Sequence, residues 1–253
     1  MKVLHVINTL SAGGAELHLL TLCRHLRQRG IEIVVACLRE QIKGSRPLRS
    51  DFEQEGIKVV NLRGDSRYDG RFLIRLARLL KEEEPHILHT HLPRADISAA
   101  LLYRLNNLSP VFICSVHGIY RDRWFGRLLA PLMRCAYQEA DGVIAISYAV
   151  KNWLAQDFQI PIEKVTVIHY GIEPEQFAYP KMDLKTTWGL KGQVVIGSVG
   201  RLEAGKGFDC LIQSMLIVRK HIPNAHLLIA GHDPWGYGKI LKALIDKLEL
   251  KGQ

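Results

Sequence analysis

The residues most able to do chemistry lie in Gly200-Arg201-Leu202-Glu203-Ala204-Gly205-Lys206-Gly207. The run follows an apolar strand-like segment and precedes a helical one. Two cations therefore flank a glycine-containing loop at a helix N-terminus, where the dipole already favours negative charge. A diphosphate suits that arrangement: arginine grips two oxygens at once, lysine acts as a mobile point charge, and each charge-assisted bond contributes about 1.5–3 kcal/mol. An exposed loop with solvated charges explains the same letters. The G-K-[ST] ending of a Walker A loop is missing. A second loop, Gly13-Gly14-Ala15-Glu16, also lies between a strand and a helix. It offers close backbone approach and free N–H groups to an anion. Its spacing is not G-x-G-x-x-G, and the second strand ends in Cys37-Leu38-Arg39 rather than in an acid for a ribose hydroxyl; a tight turn accounts for it equally well.

Two histidine motifs follow strands. His117, in Ser115-Val116-His117-Gly118, can hydrogen-bond a sugar hydroxyl or a phosphate, or be satisfied by the chain around it. His89-Thr90-His91 puts both imidazoles on one face of a strand, so a metal site is conceivable. No third ligand follows at a telling spacing, and no Asp-x-Asp pair exists for a metal-chelated pyrophosphate, so no metal site is expected. No Ser-His-Asp or Cys-His arrangement stands out. Glu16, Asp96 and Asp141 are expected as unpaired carboxylates at the strand ends. Residues 121–134 mix Arg121, Arg123, Arg127 and Arg134 with Trp124, Phe125, Leu128, Leu129, Leu132 and Met133. Such a mixture can lie on an anionic bilayer. Core burial with snorkelling arginines is the favoured reading, with Pro131 interrupting the helix.

These motifs hang on an alternation of short apolar runs and helical-period segments. Strands are expected at Val3–Ile7, Ile31–Leu38, Ile57–Leu62, His86–Thr90, Val111–Val116, Val143–Ile146 and Val165–Ile168. Helices are expected at Ala15–Leu26, with Ala15, Leu19, Leu22 and Leu26 on one stripe, at Arg71–Lys81, and at 94–106, 122–140 and 147–157. Apolar strands separated by helices argue a parallel sheet covered on both faces, with every C-terminal strand end on one rim where ligands bind. A polar stretch with Pro174, Pro180, Gly189 and Gly192 reads as a linker. The alternation then restarts: strand Val194–Gly200, helix Phe208–His221, strand His226–Ala230, helix Tyr237–Leu248. The expected organisation is a first domain at 1–173, a linker at 174–192 and a second domain at 193–253. A second sheet of two strands has an unpaired edge, so the sequence is expected to stop inside that second domain.

Composition narrows the class. The chain has 253 residues, 47% hydrophobic and 23% charged, an ordinary globular balance. A net charge of +9, spread over both halves, suits an anionic ligand, an anionic membrane face or nucleic acid without choosing among them. Five scattered cysteines without a C-x-x-C read as buried, reduced thiols of a cytoplasmic protein. No stretch reaches transmembrane length, and the N-terminal apolar run is too short for a signal peptide.

In order and along the whole chain, these motifs resemble the retaining glycosyltransferases of family 4, also called group 1. Besides the two loops, His89–Asp96 (HTHLPRAD), Ser115–Gly118 (SVHG), Val143–Ser147 (VIAIS), Val167–Glu173 (VIHYGIE) and Leu227–Gly231 (LLIAG) resemble family segments. GRLEAGKG is the most specific. The resemblance implies an α/β fold of GT-B type: one complete doubly wound Rossmann-like domain on the acceptor side, followed by the start of a nucleotide-sugar domain. It implies a sugar transferred from a nucleotide diphosphate sugar to a polysaccharide or lipid-linked acceptor in cell-surface glycan synthesis. The implied protein is cytoplasmic or peripheral on the inner membrane face, with no cofactor, metal or nucleic acid. Arg201, Lys206, Gly13 and Gly14 would contact the donor diphosphate, His117 the transferred sugar, and Glu16, Gly200, Gly207 and Gly231 would line the cleft. Tyr170 and Glu173 depart from the Asn (or Pro) and Asp of many members. The family's Glu-x7-Glu motif belongs beyond the last residue here, so little transferase activity is expected of this length alone. The competing expectations are an inactive fragment or a subunit needing a partner, a dinucleotide oxidoreductase, and a sugar-nucleotide epimerase.

Overall fold

The computed structural model describes residues 1–42, 44–64, 70–106, 109–120, 125–178 and 182–250. Two compact units emerge: Met1–Ile42 with Arg46–Ile172, and Glu173–Gln253 with the short Lys43–Ser45 segment.

In the first unit the elements run β1 Lys2–Thr9, α1 Gly14–Gln28, β2 Glu32–Arg39, α2 Arg49–Gln54, β3 Lys58–Asn61, α3 Arg71–Glu83, β4 Ile87–His91, α4 Pro93–Asn106, β5 Val111–Val116, α5 Phe125–Glu139, β6 Gly142–Ala145, α6 Tyr148–Phe158 and β7 Val165–Val167. The strands form one sheet in the order β3-β2-β1-β4-β5-β6-β7, every pairing parallel. The chain builds outward from β1 through β2 and β3, then crosses back to lay β4 on the other side of β1. The order reverses between β1 and β4, and ligands of such sheets bind at that crevice.

Strand alternation divides the core in two. Leu4 and Val6 point into one cluster with Leu76, Leu88, Phe112, Tyr137 and Trp153. Val3 and Ile7 point into the other, against Leu19, Leu20 and Cys23 of α1 and Phe52 of α2. His5 lies between Val3 and Ile7, and so under α1. The inward stripe of α1 is Glu16, Leu19, Leu20 and Cys23. The expected stripe is rotated by about one position, leaving Ala15, Leu22 and Leu26 only partly covered. α5 continues through Pro131 rather than breaking there. Cys23, Cys37 and Cys114 are buried thiols as expected, but Cys135 is half-buried and Cys210 exposed.

The second unit runs α7 Leu184–Thr187, β8 Val194–Val199, α8 Phe208–His221, β9 Ala225–Ala230 and α9 Tyr237–Lys247. Its two strands pair in parallel. Phe208, Ile212, Met215, Ala225 and Leu241 make a small core of their own.

Candidate functional site

Each unit carries a set of groups at the C-terminal ends of its strands. In the first unit the pairing of β1 with β4 sets His5 opposite His89 and Ile7 opposite His91, and the pairing of β4 with β5 sets His91 opposite Ser115. Three imidazoles thus collect on one sheet face at the crevice, all buried. Their ring centroids lie 4.9 Å (His5–His89), 5.3 Å (His5–His91) and 4.3 Å (His89–His91) apart. A third potential ligand to His89 and His91, invisible in their spacing, therefore comes from β1. One nitrogen from each of His5, His89 and His91 lies within 4.8 Å of the others, a donor set of the kind transition metals accept. Hydrogen bonding already engages these rings. His89 Nε2 is 2.7 Å from Ser115 Oγ, His5 Nδ1 is 3.0 Å from His91 Nε2, and His91 Nδ1 is 3.0 Å from His117 Nε2.

His117 continues the series outward. Its Nδ1 contacts the Tyr170 hydroxyl, and its backbone N–H donates to Tyr120 Oη at 3.3 Å. Both ring nitrogens thus face protein partners, so the histidine expected to meet a sugar is held from two sides. Tyr170 stacks on His18 of α1, centroids 4.0 Å apart and planes 11° from parallel. Burial is the main cause of every shift here. It lowers His5 to about 3 and His117 to about 4, depresses His18, and holds His89 and His91 well below the usual imidazole range. Burial, aided by the Glu16 charge, pushes the Tyr170 phenol up to about 12. The histidines are neutral at neutral pH.

The glycine turn flanks this group. Gly13 caps α1 with extended backbone, and Glu16 folds back against it, accepting a 3.0 Å bond from Thr9 Oγ1. A Cβ on Gly13 would lie 2.6 Å from Glu16 Oε2, whereas one on Gly14 would meet nothing within 4 Å. Glu16 is buried and belongs to the turn's own framework rather than standing open to a ligand. Leu92, directly after His91, holds a φ of +75°. For a leucine that costs about 1–3 kcal/mol, and such strain gathers at functional strand ends. It swings the chain into α4, whose Ala95 N–H donates to Asn8 Oδ1 at 2.9 Å.

Neither of the other two expected rim carboxylates stands open to a ligand at the rim. Asp96 is fully buried in the first turn of α4, accepting a 2.7 Å bond from Thr90 Oγ1 while its Oδ2 has no partner. Burial raises it to about 8. Asp141 precedes β6 and accepts from the Phe112 N–H at 2.7 Å, at the entry end of β5 and β6 and so at the opposite edge of the sheet.

In the second unit the 200–207 loop joins β8 to α8. Arg201 and Lys206 converge on one carboxylate, their nitrogens 3.6 and 3.8 Å from Glu203 Oε1. Both side chains are about half exposed (54% and 48%), so this contact alone is weak. The Arg201 guanidinium also sits over the Trp235 ring, 5.7 Å from its centroid. Gly207 adopts φ +70° and starts α8, which has no side-chain cap, so the N–H groups of its first turn have no side-chain acceptor at the N-cap. Gly231 lies against Gly200 so closely that a Cβ there would come 1.7 Å from the Gly200 carbonyl oxygen. That contact fixes the two strand-end loops against each other.

Sequence reasoning did not single out His5, His18 or Tyr170 as parts of a site. Arg121, Arg123 and Trp124 of the basic-aromatic segment lie outside the described residues, as do the side chains of Phe125, Arg127 and Leu128. Of the remainder, Leu129 packs against the core, Met133 is buried, Leu132 is half exposed, and Arg134 donates to Gln159 Oε1 at 2.5 Å. Among the described residues no helix is long and apolar enough to cross a membrane.

A family model, Glycosyltransferase Family 4, matches residues 12–176, more than half of the chain. The capsular polysaccharide biosynthesis glycosyltransferase CapM of Staphylococcus aureus is 28% identical over 191 residues, covering 71% of this chain and 50% of its own length. The chain thus spans half the length of that relative. Among solved structures, Anabaena HepE in complex with UDP and glucose matches all of this chain and 67% of its own at a TM-score of 0.83 and 20% identity. Sucrose-phosphate synthase from Thermosynechococcus elongatus matches 99% of this chain and 69% of its own at a TM-score of 0.77 and 15% identity. At those identities the likeness is one of fold, and the fold is GT-B.

Proposed function

Because the chain belongs to Glycosyltransferase Family 4, we propose that it serves the transfer of a sugar from a nucleotide diphosphate sugar to a polysaccharide or lipid-linked acceptor in cell-surface glycan synthesis. The observation that carries this reading is the convergence of Arg201 and Lys206 on Glu203 ahead of the uncapped start of α8. Two cations aimed at one carboxylate are also aimed at whatever anion displaces it. A diphosphate brings more negative charge and more acceptor oxygens than Glu203, and the helix dipole adds to its hold. When the bond to the sugar breaks, charge grows on the departing phosphate, and donors already in position stabilise it without reorganisation. The loop and helix start supply that stabilisation in the second unit. In the first, the glycine turn and the His117 region supply the contacts to phosphate and sugar. The transfer retains the configuration of the sugar and uses no metal or other cofactor. The protein works in the cytoplasm, against the inner face of the membrane.

HepE, whose structure holds UDP and glucose, suggests the probe. Arg201→Ala and Lys206→Ala should each weaken UDP-glucose binding by about 10-fold or more, in line with the loss of one charge-assisted contact of about 1.5–3 kcal/mol. Titration calorimetry on the chain and its variants reads this directly. Unchanged affinity in both variants removes the diphosphate assignment.

A further inference from the structure

A polar island in an apolar sheet face has to account for its hydrogen bonds, because each unpaired buried group costs free energy. Here the account runs as a single file. His5 Nδ1 meets His91 Nε2 at 3.0 Å, His91 Nδ1 meets His117 Nε2 at 3.0 Å, and His117 Nδ1 meets the Tyr170 hydroxyl. At the inner end His5 Nε2 is buried without a partner. At the outer end Tyr170 is half-buried just past the C-terminal end of β7, on the ligand rim.

A neutral imidazole carries one N–H and one lone pair. The file therefore has only two self-consistent polarities. In one, Tyr170 donates inward, every ring is protonated at Nε2, and the file ends in an N–H stranded in the core. In the other, every ring is protonated at Nδ1 and donates outward, the file ends inside in a bare lone pair, and Tyr170 accepts from His117. Stranded buried N–H donors are the rarer of the two defects. The second polarity also frees the tyrosine proton.

We propose that Tyr170, rather than His117, presents the hydrogen-bond donor that meets the sugar of the bound donor, and that His5, His91 and His117 act as positioning residues that aim that proton outward. The proposal rests on the transferase reading and deepens it. For His117 to bind the sugar itself, it would have to surrender Tyr170 or His91. Tyr170 gives up nothing: its oxygen keeps the bond from His117, its ring keeps its stack on His18, and its O–H turns to an oxygen of the ligand.

Two measurements on the full chain test it. In long-range proton–nitrogen correlation spectra of the ¹⁵N-histidine-labelled, ligand-free protein, His5, His91 and His117 should all show the Nδ1–H tautomer; Nε2–H tautomers at these positions overturn the assignment. In Tyr170→Phe the ring and its stacking remain. Its affinity for UDP-glucose should fall by about 10-fold while its affinity for UDP stays unchanged, a loss the size of one hydroxyl contact. An unchanged ratio of the two affinities, with UDP still bound, overturns the role of Tyr170 and leaves the transferase reading standing. A wild-type chain that binds neither UDP nor UDP-glucose overturns the transferase reading instead, and this ligand assignment with it. A transition metal retained at one per chain after dialysis against EDTA, and lost in His89→Ala, also overturns the file, since such an ion takes nitrogens of His5 and His91 that the file requires.

Discussion

Asp96 and the imidazole file oppose each other in acid, and one substitution separates them. Asp96 is raised to about 8 by burial, against about 3.9 in an unfolded chain. Its protonated form is what folds, so its contribution is fully present below about pH 3.9 and is lost as pH rises toward 8. Each pH unit in that window costs about 1.4 kcal/mol. Going from pH 7.5 down to 5 therefore returns about 3 kcal/mol to the folded state. The histidines run the other way. His5 at about 3 and His117 at about 4 fold as neutral rings, while the unfolded chain takes up protons below about pH 6.5. At pH 5 each costs about 2 kcal/mol, about 4 together, and His89 and His91, shifted in the same direction, add to the loss. In the wild type the Asp96 gain offsets part of the histidine loss between pH 7.5 and 5. In Asp96→Asn, which keeps an acceptor for Thr90, the compensation disappears. The variant should be several kcal/mol more stable than the wild type at pH 7.5, and should lose about 4 kcal/mol or more on going to pH 5. Urea unfolding followed by tryptophan fluorescence reads this, because Trp153 is buried in the first unit. An Asp96→Asn profile no steeper than the wild type's would refute the reasoning, since the Asp96 compensation would then be absent from the wild type too.

Two glycines give further tests. Gly14→Ala places a methyl group in open space at the first residue of α1, so unfolding should show stability unchanged or raised by up to about 1 kcal/mol. If Gly14 also meets the donor, UDP-glucose binding by the same variant should weaken by several-fold; unaltered binding removes that role. Gly231→Ala forces apart two backbones that a Cβ would approach to 1.7 Å. It should lower the thermal midpoint of the second unit and weaken UDP binding together, as followed by calorimetry; a variant normal in both would mean that the close approach is relaxed at no cost.

Much of this fold was legible because its strands are short apolar runs. Val111–Val116 and Phe208–His221 fall where the pattern puts them, and the other shared elements differ by a residue or two at their ends, save the helix expected at 122–140, whose described part runs Phe125–Glu139. The helices Arg49–Gln54 and Leu184–Thr187 escaped because six and four residues are too few to display a period. In the second unit, the loop with Arg201 and Lys206 could be found because all its parts are neighbours in sequence. The histidine file could not. His5 sits within the apolar run Val3–Ile7, where its letter reads as a tolerated exception, and its partners lie 84 and 86 residues away. Only the crossing of the chain back to β1 unites them, and spacing carries no trace of it. Asp141 misled for a related reason: a residue beside a strand can lie at either end of it, and only the direction of the chain decides which.

The adjacency of β1 and β4 also bears on the order of assembly. β1 can pair with β2 after one short crossover, but β4 must be delivered from some eighty residues away, and such distant closures come at a greater entropic cost and are made more slowly. Until that strand docks, His5 has no ring beside it and remains wet and free to take up a proton. Completion of the sheet is then also the moment at which the imidazoles shed their protons. A chain returning from acid should hesitate at this closing step, and the hesitation should shorten as the solvent is made less acidic.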